Sequence, residues 1–200
     1  IDNRIKTKID YLVGLEKQQR IDPKALPRTP KHEDDADGAT EALRYVAEEQ
    51  DYDAKRSSVW RNMLVEGTGG IGVSVTEAVD YNGQPGVEIK ISRYSWDRLF
   101  YDPHSSELDF EDAGYRGVVI WMDYDDALAM YRDNPDAADI LDTTLTTAPS
   151  DTYDDKPKHS LWADKKRKRV RICQIWVKRD EKWYFAEYTK CGILKSGPSP

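Results

Sequence analysis

Two cysteines in 200 residues, Cys173 and Cys191, are too few for a disulfide framework. They point to a reduced, cytoplasmic history rather than secretion. No apolar run approaches the roughly 20 residues that span a bilayer, and the N-terminus has no signal-peptide pattern. Histidine is equally sparse. His32, His104 and His159 stand far apart with no cysteine at ligand spacing, which argues against a structural zinc site. No nucleophile elbow of the G-x-S-x-G type occurs. Apolar residues are also in short supply, at 38% against 34% charged, where about 45–50% and about 25% are usual. Mean hydropathy is -0.79. With a net charge of -7 the chain lacks the basic face of a general nucleic-acid coat, although a local basic patch remains compatible. It starts at Ile1 without methionine and stops at Pro200, and is expected to be a piece of something longer.

What is present reads as α+β, with helices first and a mainly antiparallel sheet with short helical insertions after them. Ile1, Ile5, Ile9, Leu12 and Val13 recur at helical steps, and that helix should end near Gln18. Pro23, Pro27 and Pro30 force the next stretch to be extended. A second helical region runs from about Ala36 to Glu66, with a break near Asp51–Asp53 where either Asp could serve as a new N-cap. Trp60, Met63 and Leu64 should pack beneath the strands that follow.

Period-two alternation then takes over. Ile71, Val73 and Val75, then Val87, Ile89 and Ile91, flank a turn-forming Asn82-Gly83-Gln84-Pro85-Gly86, the clearest hairpin in the chain. Trp96 to Asp112 reads as irregular, and Tyr115 to Met122 as a strand. Asp123 and Pro135 each start a short helix. A mobile excursion is expected at about 143–168, dominated by Thr, Ser, Pro, Asp and Lys. Two strands close the pattern, Val170 to Trp176 and Trp183 to Tyr188, joined at Asp180-Glu181.

Three patterns carry candidate chemistry. Gly67-Thr68-Gly69-Gly70-Ile71-Gly72 matches G-x-G-x-x-G literally. A dinucleotide fingerprint has its strand before and its helix after, and here the order is reversed, so a flexible exit from helix to strand accounts for it. Asp80, Glu88 and Lys90 have the spacing of a metal-dependent nuclease, with Glu88 and Lys90 on one strand face. Any exposed strand face can also produce Glu-x-Lys. Lys165, Lys166, Arg167, Lys168, Arg169 and Arg171 form the one dense basic run. They are candidates for contact with phosphate or an acidic partner; the alternative is a solvated lead-in to a strand, opposed by Asp151, Asp154 and Asp155. No cofactor or metal is called for.

The order of several phrases resembles the portal proteins of tailed bacteriophages, in the short-tailed branch. Asn3-Arg4-Ile5 and Leu12-Val13-Gly14 resemble the family's opening helix, and Arg20-Ile21-Asp22-Pro23 its extended proline segment. Asp34-Asp35-Ala36 opens a long helical stretch that ends in Leu64-Val65-Glu66-Gly67-Thr68-Gly69. Ser95-Trp96-Asp97-Arg98-Leu99-Phe100-Tyr101-Asp102-Pro103 follows the hairpin, and Asp112-Ala113-Gly114-Tyr115 leads into a strand ending at Trp121-Met122. Ile175-Trp176-Val177-Lys178-Arg179 resembles a later aromatic-basic strand.

The resemblance implies a subunit of a ring, usually dodecameric, at one capsid vertex of the virion, assembled in the host cytoplasm. Such a ring works with scaffolding and coat proteins, docks the terminase and then head-completion or tail proteins, and lets double-stranded DNA pass. It has no catalytic residues, since the motor hydrolyses the ATP, and no membrane contact. On this resemblance residues 1–66 are the helical part of the subunit's outer wing, and residues 67–200 its mainly antiparallel β part.

Overall fold

The computed structural model describes residues 3–79, 83–107, 110–149 and 161–199. They form an α+β fold that divides into two compact units, Ile1–Asp97 and Arg98–Pro200. The change of pattern at 66–67 is a change of secondary structure inside the first unit, not the boundary between the two.

In the first unit, α1 (Arg4–Gln18) begins where its sequence signals it should: the Asn3 side chain accepts from the Lys6 backbone N–H at 3.0 Å. An extended segment follows. It is pinned to α2 (Glu33–Glu49) by Thr40, whose hydroxyl accepts from the Ala25 N–H at 3.0 Å and donates to the Ala36 carbonyl at 2.8 Å. The break before α3 (Tyr52–Glu66) falls at Asp51. Asp51 makes no side-chain capping bond; it turns the chain through a left-handed conformation at φ 51°. The hairpin pairs β1 (Gly70–Val79) with β2 (Pro85–Tyr94) in the register Val73↔Ile91 and Val75↔Ile89.

α1 buries no residue fully, and a charge network attaches it. Glu16 accepts from Arg20 Nε at 3.1 Å, Arg56 Nε at 2.8 Å and Ser57 Oγ at 2.7 Å. Arg20 also reaches the Asp53 carboxylate at 3.0 Å, the Asp53 carbonyl at 2.9 Å and the Ser57 hydroxyl. Asp10 accepts from Arg61 at 2.7 Å. The bond from Arg20, joined by Ser57 and Arg56, outweighs burial and holds the Glu16 carboxyl at about 2.

The expected packing of Trp60, Met63 and Leu64 beneath the hairpin is not what forms. Trp60 and Leu64 are only half-buried, Met63 is 44% exposed and Val73 is 67% exposed. Ten residues of β1 extend about 33 Å, and the helices hold only the base of the hairpin. There the Ile91 N–H donates to Gln50 Oε1 at 3.3 Å and Arg93 bonds the Ser58 hydroxyl.

The second unit is a six-stranded antiparallel sheet. Its strands are β3 (Leu99–Tyr101), β4 (Tyr115–Asp123), β5 (Ala163–Asp164), β6 (Arg169–Arg179), β7 (Lys182–Thr189) and β8 (Gly192–Pro198). They run in the order β3-β4-β6-β7-β8, with β5 beside β6. Asp180 and Glu181 join β6 to β7 with φ of 49° and 60°, the paired positive values of a two-residue hairpin turn. Two short helices, α4 (Tyr124–Met130) and α5 (Ala137–Thr146), cover one face. Ala127 of α4, Leu141 of α5 and Tyr131 pack with Val170, Ile172 and Leu194 of the strands in the core between them. Asn134 fastens the link between the helices to β8 by donating to the Leu194 carbonyl at 2.9 Å. Arg171, Cys173 and the cross-strand Tyr188 take the alternate strand face, where the Trp162 ring lies tilted 6.1 Å from that of Tyr188.

Several expectations change here. Leu99–Tyr101 is a strand within a stretch that read as irregular, and β8 had no clear signal at all. The excursion at 143–168 is narrower than its composition implied: residues 143–146 complete α5, Ala148 is buried, and Ala163 and Asp164 are buried in β5. Residues 150–160 lie outside the described ones. Asp123 precedes α4 with extended backbone, but its carboxylate pairs with Arg169 and makes no capping bond.

We predict that Glu16→Gln loosens α1 from α3 by about 1.5–3 kcal/mol, the range for hydrogen bonds to a charged group. Because folding depresses this carboxyl from 4.5 to about 2, its stabilisation is complete above pH 4.5 and fades as the pH falls towards 2. Amide exchange in α1 reads both effects. Protection unchanged in the variant at pH 6 would show that the network does not hold the helix.

Candidate functional site

The basic run occupies the tight turn from β5 into β6. Asp164 is buried just before it. Burial pushes its carboxyl up, but hydrogen bonds from the Arg167 guanidinium at 2.9 Å and backbone N–H at 3.1 Å prevail and hold it below the usual range. Lys168 takes φ 50°, and its carbonyl accepts from the Tyr124 N–H at 2.9 Å. Arg169 reaches across to Asp123 at 2.8 Å. The Arg171 guanidinium lies 5.0 Å from the centre of the Trp162 ring. Arg167, Arg169 and Arg171 thus hold the turn in place. Lys165, Lys166 and Lys168 form its cationic tip, with Lys166 and Lys168 exposed and no ion pair to the three among the described residues. Sequence alone showed the charge but not this division, because Asp123 lies 46 positions from Arg169.

The nuclease pattern gains no support. Glu88 and Lys90 lie on the polar face of β2, opposite Thr76 and Ser74, and both are exposed. Asp80 lies outside the described residues. Among the described residues no group of three or more His, Cys, Asp or Glu could hold a metal. His32 sits beside Asp35 at 3.3 Å, and His104 contributes a backbone N–H to Asp102.

The glycine run has a structural account. Gly67 closes α3 at φ 84°, its N–H donating to the Met63 carbonyl at 3.0 Å. At Gly72 a Cβ would lie 2.5 Å from the Tyr94 ring, so only glycine lets that ring cross the strand pair.

Two of the quoted phrases turn out to be one joint. The Asp102 carboxylate accepts from the His104 and Gly114 N–H groups, both at 3.0 Å, and these bonds hold it below the usual carboxylate range. Asp112 accepts from the Ser105 hydroxyl and the Ser106 N–H, both at 2.6 Å, and is lowered likewise. Ala113, between them, is fully buried. Asp102-Pro103 and Asp112-Ala113-Gly114-Tyr115 therefore clamp the two ends of the loop from β3 to β4.

Two further surfaces stand out by exposure. The register puts Val73, Val75, Val87, Ile89 and Ile91 on one hairpin face, and Ser74, Thr76, Glu88, Lys90 and Ser92 on the other. Both faces are uncovered: Val75 is 65% and Val87 71% exposed on the apolar one, and Ser74, Thr76, Glu88 and Lys90 are exposed on the other. On α1, Ile5 is 72% exposed and Leu12 is also exposed.

These roles separate by mutation. Asp164→Ala should cost about 1–3 kcal/mol, because it leaves the turn's backbone and guanidinium donors without their acceptor. Lys165, Lys166 and Lys168 replaced together by Ala should stay within about 0.5 kcal/mol of the parent. Urea denaturation measures both. A triple variant as damaged as Asp164→Ala would make the lysines part of the scaffold.

No curated protein matches the chain. The family model for phage P22-like portal proteins matches it over residues 1–193. That match runs through both compact units, from the Asn3 cap and the Asp102 joint to the final strand. On that extent of agreement, the chain belongs to the phage P22-like portal protein family.

Proposed function

We propose that this chain forms the outer, wing-like portion of a portal subunit. In this reading residues 1–66 supply the wing's helical part and 67–200 its mainly β part. Twelve such subunits make a ring at one capsid vertex, assembled in the host cytoplasm with scaffolding and coat proteins. The ring docks the terminase during packaging and head-completion or tail proteins afterwards, and it conducts double-stranded DNA in and out. The chain acts as a structural element and not as an enzyme, with the chemistry left to the motor.

The family match over residues 1–193 is the observation that carries this reading. Physical features agree with it. A net charge of -7 suits a part of a conduit, which must not grip the DNA it passes. The tip formed by Lys165, Lys166 and Lys168 is suited to a phosphate group or an acidic partner.

Negative-stain microscopy of the intact subunit should show rings with a central hole. Incubation with DNA and magnesium should leave the DNA uncut. Subunits that stay monomeric under every assembly condition would overturn the proposal, as would magnesium-dependent cleavage that is lost in Glu88→Ala.

A further inference from the structure

We infer that the apolar face of the β1–β2 hairpin forms one half of the contact between neighbouring ring subunits, and that the apolar stripe of α1 from a second copy of this chain covers it. The inference rests on the ring assembly proposed above.

The hairpin leaves both of its faces to solvent, the apolar one included. Its apolar side chains are β-branched, share one face and include Val73, Val75 and Val87, each well over half exposed. A two-stranded hairpin is marginal in water by itself. The helices of its own unit hold only its base, through Gln50 and Ser58. A contiguous aliphatic face of this kind marks a contact surface.

Ring geometry then constrains the occupant. Neighbours in a ring meet through two different surfaces of the same chain, so each subunit must offer a complementary pair. Ile5, Ile9 and Leu12 recur at steps of four and three along α1, where contact with α3 runs through Asp10 and Glu16 and leaves Ile5 largely exposed. A helical stripe laid on a flat strand face is an ordinary layer packing.

Charge selects α1 over α2. In sequence, residues 77–88 contain three acidic residues and no lysine or arginine, and the strand register sets Glu77 opposite Val87. The first turns of α1 carry Arg4, Lys6 and Lys8, while α2 opens with Glu33, Asp34 and Asp35. The hairpin therefore attracts the start of α1 and repels that of α2.

Cysteine pairing in assembled rings tests this. In a Cys191→Ser background, Ile5→Cys and Val75→Cys carried on the same intact subunit should give, on oxidation, a ladder of dimers, trimers and larger species. Either substitution alone should give none. Val75→Asp with Val87→Asp should raise the concentration needed for ring assembly about tenfold or more and leave the melting temperature of the unassembled subunit unchanged. Lys6→Glu with Lys8→Glu should impair assembly, and Glu77→Lys should restore it.

Rings whose double-cysteine variant does not cross-link would overturn the assignment while leaving the portal reading intact. Dimers from Val75→Cys alone would mean that the face meets itself. A melting temperature lowered by Val75→Asp with assembly unchanged would mean that the chain covers this face itself. Failure of the parent subunit to form rings would remove the portal reading, and this inference with it.

Discussion

Glu16 sits where α1, the start of the extended segment and α3 converge, and its charge organises the N-terminal unit. Arg20 and Arg56 approach one carboxylate from two elements, and Ser57 donates to it from α3. Few apolar side chains there could do the same work: Ala36 and Val59 are its buried hydrophobic residues among those described. A cluster of this kind resists water less well than an aliphatic core, but it fixes direction better. Two guanidinium forks and a hydroxyl meet the carboxylate in one geometry, so α1 is aimed although it is hardly buried. The C-terminal unit solves the same problem in the opposite way. Leu141 of α5 joins Val170 and Ile172 of β6 in one buried aliphatic cluster, and only a few polar side chains, Asp164 and Glu187 among them, are buried with the unit.

Much of this could be read from the sequence because it depended on local chemistry. The end of α1 at Gln18, the break at Asp51, the two hairpin strands and the Asp180-Glu181 turn each follow from a few adjacent residues. What could not be read depends on distant partners. In β8, Gly192 to Pro198, Ile193 and Leu194 are the only aliphatic residues, and they are adjacent, so alternation is absent; the strand exists because β7 is there to pair with. Ala163 and Asp164 read as part of a polar excursion because their burial is supplied by β6 and the packing around it. The division of the basic run into three clamping arginines and three lysines without an ion pair among the described residues was hidden for the same reason.

The hairpin shows a different kind of failure. Alternation of Val73, Val75, Val87 and Ile89 correctly implied strands, and the further step, that their apolar face lies on the preceding helix, did not hold. Period two reports which residues share a face, not which partner covers it. A chain evolved as one member of an assembly can leave that partner to another copy.

The family phrases gain physical content from the same reasoning. Asn3 caps α1, Gly67 closes α3, and Asp102 and Asp112 clamp the loop between β3 and β4. Each stands where backbone donors or acceptors would otherwise go unmet, and few residue types serve there. Core positions accept many aliphatic combinations of similar volume. A chain with only 38% hydrophobic residues therefore carries its family signature at caps and turns, which is where the order of short phrases was legible before any fold was known. The same economy gives the N-terminal unit strong joints and a thin core. That unit keeps its shape by hydrogen bonds and ion pairs, while the aliphatic face of its hairpin stays exposed.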